Sequence, residues 1–213
     1  KVVLDVGCGP AHAAAAMRKR WPKAQVIALD LALPMLREAK KQAGWWKPFQ
    51  RVCADLRALP VVESSVDVLF CNLSLQWVDD LPAAFAGFRR VLKPGGKMLV
   101  TCPFVWPEHE VPHDFARYSR FALKSLLEQN GFEEIGYVKT GNYWSATSQL
   151  RTMYFYELSV RTKWLQVIPF RWIYKFLFYG CINLGAVLCS RLFPQSHTLY
   201  LNNVMLVRKK VQA

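Results

Sequence analysis

The sequence is short of acid. Its 213 residues hold 28 lysines and arginines against 15 aspartates and glutamates, a formal net charge of +13. That imbalance points to an anionic partner, whether nucleic acid, a membrane surface or an acidic protein. The shortage is sharpest from residue 151 onward, where Glu157 faces Arg151, Arg161, Lys163, Arg171, Lys175, Arg191, Arg208, Lys209 and Lys210. Paired cysteines are missing too. Cys8, Cys53, Cys71, Cys102, Cys181 and Cys189 are scattered, with no Cys-x-x-Cys, which removes zinc and redox-motif readings and leaves reduced thiols of a cytoplasmic protein. The first apolar run is broken at Asp5, so no signal peptide is expected. The apolar run from Phe176 to Cys189 is interrupted by Asn183 and is short for a membrane span. There is no internal repeat or low-complexity segment. With 53% hydrophobic residues, the chain reads as one globular domain over 1–213, large enough to bury a core.

What the sequence does have comes at once. Residues 1–11, KVVLDVGCGPA, read as a buried parallel strand that ends in a glycine loop and feeds a helix from Ala11 to about Arg20. In open α/β sheets the ligand lies at the carboxyl ends of such strands, where the backbone approaches it closely only if side chains are absent. A dinucleotide fingerprint would place a third glycine at position 12, which is His12. Gln25 to Asp30 is a second short strand ending in an acid. Asp30 follows Gly9 by 21 residues, near the spacing at which a carboxylate accepts hydrogen bonds from both ribose hydroxyls. On that feature alone, NAD and S-adenosylmethionine (SAM) are served equally.

The chain continues in strand–helix alternation. Pro34 suits the first turn of a helix running to about Gln42, and residues 44–48 read as loop. Phe49 to Ala54 and Val66 to Asn72 read as strands, Leu81 to Leu92 as an amphipathic helix, and Lys93 to Gly96 as a turn into a strand over Lys97–Thr101. Residues 103–118 are too rich in proline and aromatics for a regular element, and they follow a strand end, so they are expected over the mouth of the site. Ser119 is an N-cap candidate for a helix through Asn130, closed by Gly131. Phe132–Thr140 and Thr198–Val207 read as strands. Between them, residues 145–195 form a helical insertion of roughly two helices with Pro169 in between. The pattern itself gives an α/β fold with a mostly parallel sheet.

Asp5-x-Gly7-x-Gly9-x-Ala11 resembles motif I of the class I SAM-dependent methyltransferases, in the broad group called type 11. Residues 1–102 resemble the methyltransferases of biotin synthesis, which esterify a malonyl group on acyl carrier protein. The run from Asn72 to Trp77, Ala54-Asp55-Leu56 and Ala28-Leu29-Asp30-Leu31 carry that likeness. Residues 104–213, through Trp106-Pro107-Glu108-His109 and Pro112-His113-Asp114-Phe115, resemble bacterial SAM-dependent methyltransferases of glycan and lipid pathways. The resemblance implies a Rossmann-like, seven-stranded sheet in the order 3-2-1-4-5-7-6, with strand 7 antiparallel and helices on both faces. Families of this kind usually carry one or two helices ahead of the first strand, so the chain is expected to be a piece of a longer one.

The same resemblance implies SAM as cofactor and assigns the binding residues. The backbone around Gly7, Cys8 and Gly9 would hold the methionine end, with Asp5 on its amino group. Asp30 and Leu31 would take the ribose, Asp55 and Leu56 the adenine, and Asn72 would stand beside the methyl. Asn72, His113 and Tyr118 form the expected catalytic set, with His109 a second candidate base and Arg117 and Tyr118 binding a polar substrate group. A carboxylate acceptor, of pKa about 4, needs no base, whereas an alcohol or phenol does. The competing reading of His113 and Asp114 is that they only shape their loop, and His12 reads as a packing residue. The segment Asn72-Leu73-Ser74 lacks the two prolines and aromatic that follow Asn or Asp in enzymes acting on base amines, which disfavours a nucleic-acid acceptor. The expected partner is a small-molecule, acyl, glycan or lipid-linked substrate, with acyl carrier protein the alternative. For residues 165–193, contact with an anionic membrane at the inner face and a lid over an apolar pocket both stand open. The non-enzymatic rival is a membrane- or RNA-binding module that keeps a SAM pocket.

Overall fold

The computed structural model describes residues 1–44, 48–162, 167 and 170–211. The expected loop at 44–48 falls partly outside these, and Pro169 wholly so. Five strands follow one another with parallel pairing: β1 (Val2–Val6), β2 (Gln25–Asp30), β3 (Gln50–Cys53), β4 (Val66–Asn72) and β5 (Leu92–Pro103). With β6 (Phe132–Thr140) and β7 (Asn202–Lys209) they form one sheet in the order β3-β2-β1-β4-β5-β7-β6. The expected order is therefore the observed one. β1 lies in the interior of the sheet, with Val6 paired to Leu29 on one side and Cys71 on the other. The order reverses at β1, which is where such a sheet opens a crevice.

Strand alternation fixes the core. Leu4 and Val6 of β1 join Leu69, Phe85, Phe88, Phe132 and Met205 in the larger apolar cluster, while Val3, which precedes Leu4 in the strand, packs with Ala14, Ala39 and Phe49 in the smaller. Successive side chains thus serve opposite faces, and both faces are covered, as a parallel strand without polar alternation requires. The covering helices in sequence are α1 (His12–Arg20), α2 (Leu33–Gln42), α3 (Leu81–Val91) and α4 (Arg120–Gln129). Their starts follow from local chemistry. Pro34 and Pro82 sit in first turns, Asp80 caps α3 by accepting from Ala83 N, and Ser119 caps α4 by accepting from Ala122 N.

Some expected boundaries move. Lys93–Gly96 is not a turn before the strand but lies within β5. There Leu92 pairs with Val66 and Lys97 with Val68, so the glycine-containing stretch is absorbed as a bulge, Gly95 taking φ +70°. The last strand starts at Asn202 rather than Thr198, because Thr198 N turns back to Ser196 Oγ (3.3 Å) before the ladder begins.

By internal contacts the chain divides into two compact units. The first comprises 1–102, 110–138 and 203–213, and the second 103–109 and 139–202. The expected insertion at 145–195 belongs to the second. It consists of α5 (Tyr143–Arg161) and α6 (Phe170–Leu192), the latter containing a π-helical stretch over Lys175–Gly180. At 23 residues α6 outruns the apolar segment visible in the sequence and is, by length and composition, apolar enough to cross a membrane. The helix continues through Asn183 and Lys175, where the apolar count alone stops.

Candidate active site

The first unit holds a cavity of about 780 Å³ at the carboxyl ends of β1, β2 and β4. Its walls include Gly7 and Gly9 after β1, Asp30 and Leu31 at the end of β2, and Asp55 and Leu56 after β3. The glycine loop is built by geometry that only glycine takes cheaply: Gly7 has φ +62° and Gly9 φ +51°. At Gly7 a Cβ would also fall 2.3 Å from Ser74 Oγ, whereas at Gly9 it would meet nothing within 4 Å. Gly7 is thus demanded by packing against the strand-4 segment, and Gly9 leaves a bare stretch of backbone facing the cavity.

Asp30 ties the loop to β2. Its Oδ2 accepts from Gly9 N at 2.7 Å and its Oδ1 from Ala32 N at 2.8 Å. Each carboxylate oxygen keeps a further acceptor site, so the residue can receive the two hydroxyls of a ribose while holding the loop. Asp55 is already engaged. Arg57 binds it in a fork, Nη2 to Oδ2 at 2.6 Å and Nε to both oxygens, and reaches Asp79 through Nη1 at 2.7 Å. The Arg57 hydrogen bonds hold the Asp55 carboxyl below its ordinary range. An adenine amino group would share Asp55 with Arg57, a residue that nothing in the local sequence singles out.

Asp5 and Cys8 lie beneath the loop rather than in the cavity wall. Asp5 is 1% exposed, and its Oδ2 has no hydrogen-bond partner. Burial lifts its pKa from 3.8 to about 7, with the Asp30 charge adding to the effect against a bond from the Ala14 backbone. A buried carboxylate with a spare acceptor beside a cavity is what a cationic amino group would satisfy. Burial pushes the Cys8 thiol up to about 12, so it is a neutral packing group and not a nucleophile. Cys102 is likewise at about 12, and Cys71 is well above the ordinary thiol value.

The catalytic set is dispersed. His113 lines the cavity, together with Glu110 and Phe115. Tyr118 is a correction: it is buried in the larger apolar cluster and does not line the cavity. Burial raises its phenol to about 12, while its carbonyl accepts from Asn203 Nδ2. Asn72 is a second correction. Its Oδ1 is taken by Thr101 Oγ1 at 2.6 Å, and the cavity wall is made by the next two residues instead. The cause is Leu73, which adopts φ +52° with its N–H held by Thr101, turning the chain so that Leu73 and Ser74 face inward. A non-glycine residue in the left-handed region is uncommon and clusters at functional sites; Glu110 (φ +56°) is another on this wall. His109 belongs to the second unit, its ring 6.4 Å from that of Trp106. Arg117 pairs with Asp114, whose Oδ2 accepts its Nη2 at 2.6 Å. Exposed His12 opens α1. Trp77, Val78 and Met35 complete the apolar wall; the sequence pointed to the first only as part of the Asn72–Trp77 run.

Comparison with known proteins places this geometry. Residues 4–100 match the model of a methyltransferase domain. Over 108 residues the chain is 56% identical to a malonyl-[acyl-carrier protein] O-methyltransferase of Xylella fastidiosa, covering 51% of this chain and 36% of that relative. The chain thus spans little more than a third of that curated relative's length. Among solved structures, the [4+2]-cyclase SpnF aligns with a TM-score of 0.66 at 20% identity, over 99% of this chain and 75% of its own. A Bacillus halodurans protein assigned to the methyltransferases aligns at 0.62 and 19%, over 99% and 93%. That a cyclase shares the fold is a reminder that the chemistry lies in the site and not the scaffold. Residues 4–100 thus match a methyltransferase domain by sequence, and the described residues share the fold of the solved structures named above.

Proposed function

We propose that the protein transfers a methyl group from SAM to an oxygen of an acyl, lipid-linked, glycan or other small-molecule acceptor. The carboxylate of a malonyl group on acyl carrier protein is the first acceptor to test. The observation that carries this reading is the gathering of the Gly7–Gly9 backbone, Asp30 and the Asp55–Leu56 pair along one cavity. The residues fit a sulfonium nucleoside: bare backbone at Gly9 and the spare acceptor of Asp5 suit the amino-acid end, and Asp30 suits the ribose. Leu56, buried at the wall, supplies an apolar face for a flat ring.

When bound, SAM supplies a methyl group already activated for displacement. The chain's own task is to align and to exclude water, and orientation of that kind is worth on the order of 7–11 kcal/mol. Leu73, Trp77, Val78 and Phe115 provide the apolar enclosure. His113 decides between acceptor classes. A carboxylate is ionised at neutral pH and needs no base, in keeping with the activity for which the Xylella relative is named. A hydroxyl acceptor needs one, and His113 is the histidine on the cavity wall that would serve.

Calorimetry with S-adenosylhomocysteine tests the site first. Asp30→Ala should weaken binding by about 10²- to 10⁴-fold, since two hydrogen bonds to a charged group are at stake. Unchanged affinity would remove the assignment. Radiolabelled methyl transfer to malonyl carrier protein, set beside hydroxyl acceptors, then tests the acceptor. His113→Ala should leave turnover near wild type with a carboxylate and lower it by about 10²- to 10⁴-fold with a hydroxyl. Transfer to neither class by a protein that binds the nucleoside would overturn the catalytic reading.

A further inference from the structure

The hairpin of α5 and α6 in the second unit is arranged opposite to a water-facing helix pair. What these helices bury is small or polar: Ala146 and Ser148 in α5, Tyr174 in α6. Hydrogen bonds join the two helices. Ser148 Oγ donates to Asn183 Oδ1 at 3.1 Å, the Tyr174 hydroxyl donates to Phe155 O at 2.6 Å, and Ser159 and Tyr179 hydroxyls meet at 3.4 Å. Phe155 and Phe178, 4.4 Å between ring centroids, add an aromatic contact. The outward side is apolar instead. Phe176 is 71% exposed and Leu192 75%, with Trp172, Ile173 and Leu184 also open, and only 6% of the most apolar 18-residue window of α6 is buried. An exposed apolar surface on this scale marks an interaction site.

We infer that this hairpin docks on an anionic lipid bilayer, lying in the headgroup boundary with its apolar side toward the acyl chains. Charge complementarity selects the occupant. Residues 143–192 carry six basic residues against Glu157 alone. Arg161, Arg171 and Lys175 are exposed near the turn of the hairpin, and the Arg171 guanidinium and Lys175 ammonium lie 5.7 and 5.9 Å from the Trp172 ring centroid. Tryptophan among cations is the composition that settles at headgroup level. The bilayer is met sideways rather than crossed. Lys175 and Arg191 bound an apolar stretch of about 24 Å at 1.5 Å per residue, under the ~30 Å of a hydrocarbon core. The partner helix α5 would also have to carry Arg151 and Glu157 into that core, at a cost that forbids it without internal pairing. Single-stranded RNA would use the cations and aromatics but gains nothing from Ile173, Leu184, Val187, Leu188 and Leu192, all exposed.

Sedimentation with phosphatidylcholine vesicles, made with and without phosphatidylglycerol, tests this. The protein is expected to pellet with the anionic vesicles, to stay in solution with the neutral ones, and to be released as salt is raised. Arg171→Ser with Lys175→Ser should weaken vesicle binding by ~30-fold at about tenfold or less per charge. Trp172→Ser with Phe176→Ser should abolish pelleting at low salt, where the wild type pellets. Both pairs are exposed, so an unchanged melting temperature is expected, and the salt release of the wild type stands as a test without them. Failure to pellet with anionic vesicles, equal pelleting with neutral ones, displacement by single-stranded RNA, or self-association that hides the hairpin would each overturn the inference. No methyl donor enters the assay, so its outcome is independent of the catalytic reading.

Discussion

The central sheet and the α5–α6 hairpin spend the same kind of residue in opposite ways. In the first unit, Leu4, Val6, Leu69, Phe85 and Phe88 are wholly excluded from water. In the hairpin, residues of equal hydrophobicity face outward, and the buried positions go to alanine, serine and tyrosine. The sheet region therefore owes its stability to apolar burial at about 25 cal/mol per Å², while the hairpin withholds its apolar surface from the fold. Local sequence cannot announce this difference. Both regions are rich in leucine, valine and phenylalanine, and the contrast exists only once partners are known.

The contrast can be broken by paired substitutions. Phe88→Ala should cost about 3–5 kcal/mol, because it empties a site closed by Phe85 at 5.8 Å in an edge-on contact. Phe176→Ala should stay within about 0.5 kcal/mol in water. Chemical denaturation of both variants checks the pair, and an equal loss would place α6 in the core after all.

Asp5 sharpens the comparison at an intermediate size. Its folded pKa, about 7, stands above the ordinary 3.8, so the neutral form suits the fold and the charged form opposes it. Stability should be greatest below pH 4 as far as this group is concerned, and should fall as pH rises toward and through 7. Asp5→Asn should remove that loss, raising stability at pH 8 by a few kcal/mol, since each tenfold change in proton affinity is worth about 1.4 kcal/mol, while weakening SAM binding. Melting temperatures across pH 4–8 check the sign. A stability curve that climbs toward pH 8 in the wild type and flattens in Asp5→Asn would contradict it. The hairpin, with Glu157 its one acid and that residue exposed, should add little to this dependence.

Much of the cavity wall was legible because motif chemistry and strand ends coincide. Gly7, Gly9, Asp30, Asp55 and Leu56 sit where a strand stops and a short loop must turn, and spacing along the chain fixes that. Asn72 and Tyr118 were not legible, for tertiary reasons. Asn72 ends its strand as expected, but Thr101, 29 residues later, captures its side chain and holds the Leu73 N–H. Tyr118 looks like a loop residue among prolines and aromatics until packing draws it into the core. Arg57 was passed over because nothing local marks a guanidinium that forks onto Asp55 and crosses to Asp79.

By itself the sequence determined the alternation of strands and helices, the glycine turn and the acid that closes it, since these depend on backbone freedom, side-chain period and short-range spacing. The pairing of Asn72 with Thr101, the close approach of Ser74 to Gly7, and the outward turn of the hairpin's apolar residues were decided only by tertiary structure. Each is a contact between segments far apart in the chain, and solvent exposure is a property of the assembled surface rather than of any residue in it.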